Sequence, residues 1–225
     1  MEGSLVWILN NLDLDEVVRR EYMSLSTSWL YACPNWINTS ITLDSPKYTT
    51  LKREEPFVAT AFTENFPGDP VPEIISGPCC SQFAVTRDAI RKVSKEQYAN
   101  HITWLLGTSL DDDLSGRMWE HWWHYIFLGR TVDCPIEHKA LCVGFHICFQ
   151  DQSSYDDYKK LLKLKGEAEG KRKDMKKAKQ VDTHQLNLLN WKIRGLEEQL
   201  EDRRDAALAK GKNAGRRQAI ARNIY

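Results

Sequence analysis

The chain has 225 residues, of which 42% are hydrophobic, and its 31 basic side chains balance 31 acidic ones. This apolar content excludes an intrinsically disordered protein. The charge is uneven, because residues 1–150 carry 12 Lys and Arg against 19 Asp and Glu, whereas residues 151–225 carry 19 against 12. This asymmetry predicts a core domain over 1–150 and a charged helical tail over 151–225.

No membrane-spanning segment or signal peptide is predicted. The apolar stretches all fall short of the roughly 18 residues that a transmembrane helix needs. The first residues, MEGSLVWILNN, lack the basic start and the long apolar run of a secretory signal. As written, the sequence therefore predicts a soluble, cytoplasmic protein.

The first 110 residues predict two helices separated by loops and a strand. Apolar residues at helical spacing predict a helix over 5–20, and the many Pro, Asn, Thr and Gly residues of 30–78 predict an irregular, loop-rich stretch. The small and β-branched residues of 79–86 predict a buried strand. A capping box at Ser94 opens the next helix, which extends to about Gly107.

The tail carries an apolar seam that has two interpretations. Leucine, isoleucine and alanine recur at spacings of three and four between residues 186 and 207, as in a coiled coil. The seam predicts either a self-associating homo-oligomer or a single charged helix docked on the domain. The basic end of the chain has no interleaved aromatic residues, which favours a solvated tail over nucleic-acid binding.

The segment SGRMWEHWWHYIF, residues 115–127, predicts a helix that is apolar around most of its circumference. Its polar residues fall within about 100° of one another. The four residues of this polar wedge are Arg117, Glu120, His121 and His124. Glu120 and His124 lie one turn apart, which suits general-base catalysis or divalent-metal binding. The alternative is an ordinary exposed ion pair.

The six cysteines allow a metal site or disulfides. Cysteine and histidine alternate at four-residue intervals in the positions Cys134, His138, Cys142 and His146. Four such ligands would suffice for structural zinc, although the spacing matches no common zinc motif. Alternatively, Cys142 and Cys148 close a small disulfide loop, or the thiols are buried and free.

The segments PCCSQFAVTR and SGRMWEHWWHYIF together resemble the core of the largely fungal family called domain of unknown function 3431. The positions that fit its structural motif include Cys79, Cys80, Gln82, Phe83, Arg87, Trp104, Gly116 and Trp123. Two departures stand out: Glu21 occupies a position where the family has Gly, and Ala140 one where members usually have another Cys. The family's domain normally begins upstream of this Met1, often after a membrane anchor, so a longer chain would be anchored and lumenal.

The resemblance implies a distant relationship to sugar transferases that bind nucleotide sugars. It implies an α/β fold, or α+β after truncation, with a partial glycosyltransferase-A-like sheet covered by helices. Glu120 would be the catalytic base, His124 a ligand of a divalent metal or of phosphate, and Arg117 a partner of phosphate or of Glu120. The alternative function is a non-catalytic domain or interaction protein with a self-associating tail.

Overall fold

A computed structural model of the chain describes residues 5–26, 29, 32–33, 36–177 and 182–225. The chain divides into two compact units. The core unit comprises residues 13–137 together with Tyr225, and the hairpin unit comprises residues 1–12 and 138–224. The segments that resemble the family's central motifs lie in the core unit.

The described residues form ten α-helices and four short strands. In chain order the elements are α1 (Leu5–Asn10), α2 (Leu14–Arg20), β1 (Tyr22–Ser24), β2 (Ile37–Asn38), α3 (Glu55–Asn65), β3 (Ile74–Ile75), β4 (Phe83–Val85), α4 (Arg87–Lys92), α5 (Lys95–Gly107), α6 (Asp112–Leu128), α7 (Glu137–Phe145), α8 (Gln152–Lys177), α9 (Thr183–Gly211) and α10 (Ala214–Ala221). A 3₁₀ turn, Thr50–Lys52, precedes α3. The helix predicted over 5–20 is interrupted, because Asp13 caps a new helix by accepting a hydrogen bond from the Glu16 amide.

The sheets are small. β1 pairs with β4 in antiparallel register, with Tyr22 opposite Val85, and β2 pairs with β3, with Ile37 opposite Ile75. The fold is thus mixed α and β but mostly helical, and the described residues contain two-stranded sheets rather than a larger glycosyltransferase-A-like sheet. The strand predicted over 79–86 is shorter because Cys79 and Cys80 are joined by a disulfide, and Cys80 has a φ of 82°, which a strand cannot contain.

The predicted loop-rich stretch over 30–78 contains a helix that the sequence interpretation missed. α3 begins with Pro56 in its first turn, where the absent N–H is not needed. Its Val58 and Phe62 are fully buried, one turn apart, in the main hydrophobic core. Met118 and Trp122 of α6 belong to the same core, so the packing of α3 holds α6 in place.

The hairpin unit is built on the long antiparallel helices α8 and α9. The predicted apolar seam is largely buried inside this unit, at Ile193, Leu196, Leu200 and Ala207. The last turn of α9 also packs closely on the segment after α7: a Cβ at Gly211 would lie 1.8 Å from the carbonyl oxygen of His146. Of the helices in the described ranges, none is long and apolar enough to cross a bilayer.

Candidate functional site

Helix α6 carries the predicted polar wedge and has well-defined ends. Asp111 caps its start by accepting a hydrogen bond from the Leu114 amide at 2.8 Å, and two further aspartates lie in the first turn. Gly129 ends it in the left-handed conformation, with a φ of 64°. These caps fix where the helix begins and ends.

One histidine of the wedge pairs with an acid from outside α6, namely Glu54, the residue that precedes α3. His121 donates its Nε2–H to Glu54 Oε1 at 2.9 Å. Arg117 approaches the other carboxylate oxygen of Glu54 at 3.9 Å and also contacts Asp113 at 3.4 Å. Glu54 is 1% exposed, and its Oε2 accepts no hydrogen bond within the described residues.

The electrostatics keep this buried carboxylate charged. Burial alone would raise the pKa of Glu54, but the hydrogen bond from His121, a backbone hydrogen bond and the charges of His121 and Arg117 together lower it. The carboxylate accepts the Nε2–H of His121 and so orients its ring. This is the arrangement of an orienting acid and a general base, although the ring of His121 is only 10% exposed.

His124 is held inside the fold by its own contacts. Its Nε2–H donates to the Thr131 carbonyl at 3.0 Å, and burial lowers its pKa despite the opposing effects of that bond and of the Asp133 charge. Gly77 lies against the ring, where a Cβ would stand 2.8 Å from Nδ1. The structure therefore gives His124 a buried structural environment.

Glu120 does not pair with His124. Its side chain is partly exposed and makes no hydrogen bond or ion pair with any residue that the structure describes. The three residues implied as catalytic thus have separate surroundings: Arg117 faces Glu54, His124 faces Thr131, and Glu120 is left to solvent. They do not converge on a common metal position.

The cysteines of the predicted zinc set are in disulfides. Cys33 pairs with Cys134, and Cys142 pairs with Cys148, the alternative that closes a small loop. His138 binds Gln152 through Nδ1 at 2.9 Å. Over the described ranges, no group of three or more His, Cys, Asp or Glu side chains is placed to hold a metal ion.

An apolar groove lies between α5 and α6, on the side of α6 next to Glu120. Its volume is about 580 Å³. The aliphatic wall comes from α5 and the aromatic wall from α6, with Ile102, Leu105, Leu106, Trp119, Trp123 and Ile126 as the apolar lining residues. Leu106 is 83% exposed and Ile102 60%, so the groove is open to solvent.

One wall of the groove is stiffened by a buried hydrogen-bond network. His101 Nδ1 lies 3.1 Å from Asn65 Oδ1, and its Nε2 lies 3.1 Å from Gln97 Nε2. Because the amide nitrogen of Gln97 can only donate, the proton of His101 is on Nδ1 and is given to Asn65. Burial lowers the pKa of His101, consistent with a neutral ring. The network ties α5 to α3.

Sequence reasoning missed both Glu54 and the groove. Glu54 and Glu55 stand just before Pro56, a pattern typical of a helix start, but nothing local links them to a histidine 67 positions away. Tyr98 and Ile102 lie four residues apart, on one face of α5. Only the tertiary structure shows that this face stays uncovered within the described residues.

No curated protein and no solved structure matches this chain. A family model does match, over residues 1–143, and its description is protein of unknown function (DUF3431). The matched range contains α1 to α6 and therefore both the groove and the polar wedge. The chain belongs to the DUF3431 family.

Proposed function

We propose that the core unit binds a small, uncharged or cationic organic molecule with a ring-shaped apolar part. The observation that carries this proposal is the open groove of about 580 Å³ between α5 and α6. Ligand pockets typically measure about 300–1,000 Å³ and combine apolar walls with a few polar groups. The indoles of Trp119 and Trp123 offer flat faces on which a ring can stack.

The charge of the groove selects among ligands. Asp112 is the one charged side chain among its described lining residues, and the remaining polar lining groups are neutral, namely Ser81, Tyr98, His101 and Ser115. A carboxylate at the rim attracts a cation and repels an anion. We therefore expect neutral and cationic ligands to bind more tightly than anionic ones of the same size.

Two fluorescent probes test this expectation. Phenylnaphthylamine is uncharged, whereas anilinonaphthalene sulfonate carries the same rings with an added anionic group. The uncharged probe should bind more tightly to the full chain. Replacing Trp123→Ala or Leu106→Ser should weaken it by about fivefold or more, because part of an apolar wall is lost. Asp112→Asn should strengthen only the sulfonate, by about fivefold.

Leu106→Ser guards against a folding artefact, since Leu106 is mostly exposed. Trp191→Ala is the matched control, because Trp191 is a solvent-exposed indole in the hairpin unit. Equal binding by the wild type and both groove variants, or tighter binding of the sulfonate by the wild type, would refute the proposal.

Sugar transfer is a second proposal, which comes from the resemblance and is supported by one feature of the site. Glu120 is a carboxylate without a partner among the described residues, one helical turn from Gly116 in the groove wall. Such a group is available as a general base. The donor would be a nucleotide sugar, and a divalent metal would assist the transfer. The largely fungal distribution of the family is implied by the same resemblance.

The test of sugar transfer is the release of nucleoside diphosphate from a nucleotide sugar in the presence of manganese. Glu120→Gln should abolish release without changing the thermal midpoint. Glu96→Gln, an exposed carboxylate in the first turn of α5, is the control. The proposal fails if the wild-type chain releases no diphosphate or if Glu120→Gln releases it at the wild-type rate.

We also propose that the chain folds in an oxidising compartment rather than in the cytoplasm. All six cysteines are paired in the structure, and such disulfides rarely persist in reducing surroundings. The division into a 1–150 domain and a 151–225 tail stays a prediction, as does association through residues 186–207.

A further inference from the structure

The hairpin unit displays two large apolar side chains to solvent. Trp191 is 78% exposed and Leu188 is 55% exposed. They are three residues apart on α9, so they project from the same side of the helix. The apolar residues of α9 that face α8 are mostly buried. Leu188 and Trp191 therefore form an outer apolar face on α9.

The same end of the hairpin is strongly basic. The segment KRKDMKK, residues 171–177 at the end of α8, has five basic residues and one acidic residue. Residues 183–192 of α9 contain no acidic residue. None of the basic residues of these two segments forms an ion pair with another described residue. We call residues 171–177 and 183–192 the hairpin tip.

The register of α8 against α9 places the basic residues of α8 at the same level along the hairpin as the indole of Trp191. Lys165 meets Glu197 across the hairpin at 3.5 Å. Six residues further towards the tip along each antiparallel helix, Lys171 is level with Trp191. The unpaired cations of α8 and the exposed apolar face of α9 therefore lie at the same level of the hairpin.

We propose that the hairpin tip docks on an anionic phospholipid surface. Unpaired basic residues are attracted to the negative potential of acidic lipids, and tryptophan and leucine partition into the boundary between head groups and acyl chains. A nucleic acid would also attract the cations, but it offers no environment for the aliphatic Leu188. The tip and the groove are formed by different residues, so neither proposal depends on the other.

The test is sedimentation of the full chain with vesicles. The wild type should bind vesicles of phosphatidylcholine with phosphatidylserine and should not bind phosphatidylcholine alone. Lys173→Glu with Lys177→Glu should weaken binding by about tenfold or more, given the attraction of each basic residue to an acidic surface. Trp191→Ala with Leu188→Ser should weaken it by about tenfold, through lost apolar insertion.

Lys160→Glu with Lys163→Glu is the matched control. It makes the same change in net charge at exposed positions of α8, about 12 Å or more from the level of Trp191, and should bind like the wild type. The indole also gives a signal of its own: vesicles should shift tryptophan emission to shorter wavelength in the wild type and much less in Trp191→Phe.

Three outcomes would overturn the proposal. The first is no sedimentation with acidic vesicles. The second is vesicle binding that the Trp191 and Leu188 variants leave unchanged, which would mean simple charge attraction. The third is tighter binding to single-stranded RNA than to acidic vesicles, which would identify the tip as a nucleic-acid surface.

Discussion

Glu21 has a backbone conformation that is unfavourable for a residue other than glycine. It ends α2 with a φ of 66° and a ψ of −31°, a conformation that favours glycine. Glycine is also the residue implied at this position by the family resemblance. Its carboxylate forms an ion pair with Lys92 at 2.6 Å, but the side chain of Lys92 is 60% exposed and that of Glu21 39%. Ion pairs open to solvent contribute about 0–1 kcal/mol.

Glu21→Gly should therefore raise the free energy of unfolding by about 1 kcal/mol, because relief of a positive φ is worth about 1–3 kcal/mol. Glu21→Ala is the control, since it removes the ion pair and keeps the strained conformation, and it should leave stability unchanged or lower. Urea denaturation measures both. Equal stability of the glycine and alanine variants would contradict this interpretation.

Two buried histidines predict how stability depends on pH. Burial lowers the pKa values of His101 and His124 in the folded chain, whereas in the unfolded chain histidine titrates near about 6.5. Below that pH the unfolded state binds more protons, so the free energy of unfolding should fall as the pH drops from 7 to 5. Urea denaturation across this range tests the slope, and a flat or rising profile towards acid would be inconsistent with neutral buried rings.

At the scale of elements, the α8–α9 hairpin explains the heptad-like seam. Leu196 is 7% exposed and packs within the chain, as expected if the seam is used inside one chain. Leu196→Asp should lower the free energy of unfolding by about 3 kcal/mol or more, because it buries an unpaired charge. Leu188→Asp, on the exposed side, should change it by less than about 0.5 kcal/mol.

Thermal unfolding followed by circular dichroism compares the two variants, and light scattering of the wild type should show a monomer. A dimer that Leu196→Asp dissociates would restore the self-associating interpretation of residues 186–207.

The elements that could be predicted are those whose signals are local. α5 and α6 begin where Ser94 and Asp111 accept hydrogen bonds from the amides three residues ahead, and α8 follows the charged composition. The capping box was only half present, since Gln97 reaches Asn65 and His101 instead of the Ser94 amide. α3 was not predicted, because the Pro, Asn, Thr and Gly residues on either side of it make residues 30–78 look irregular as a whole.

The candidate site was less predictable than the helix that carries it. The polar wedge of α6 could be predicted from the spacing of its residues. Its partners could not, because they lie outside the helix: Glu54 contacts His121, and Thr131 and Gly77 contact His124. The groove depends on α5 remaining uncovered beside α6. No local signal in the sequence states which apolar face stays open.

At the scale of the whole molecule, the three disulfides should differ in their resistance to reduction. The Cys33–Cys134 bond closes a loop with a sequence separation of 101, whereas Cys79–Cys80 joins neighbours. The entropic stabilisation by a disulfide grows with loop length, and the positive φ of Cys80 adds a cost to the paired state. Cys79–Cys80 should therefore be reduced first under limiting reductant.

Differential alkylation followed by peptide mass spectrometry gives this order directly. Intact mass with and without reduction also shows whether all six thiols are blocked before reductant is added. Free thiols throughout would contradict the disulfide arrangement and with it the proposed oxidising compartment. Earlier reduction of Cys33–Cys134 would contradict the predicted order.

Whether the α5–α6 groove is a binding site can be measured by hydrogen–deuterium exchange of the full chain, with and without saturating phenylnaphthylamine. If the groove binds the probe, exchange should be slower in residues 95–107 and 112–128 and unchanged in residues 183–211. Protection confined to the hairpin unit, or no protection at saturation, would contradict it.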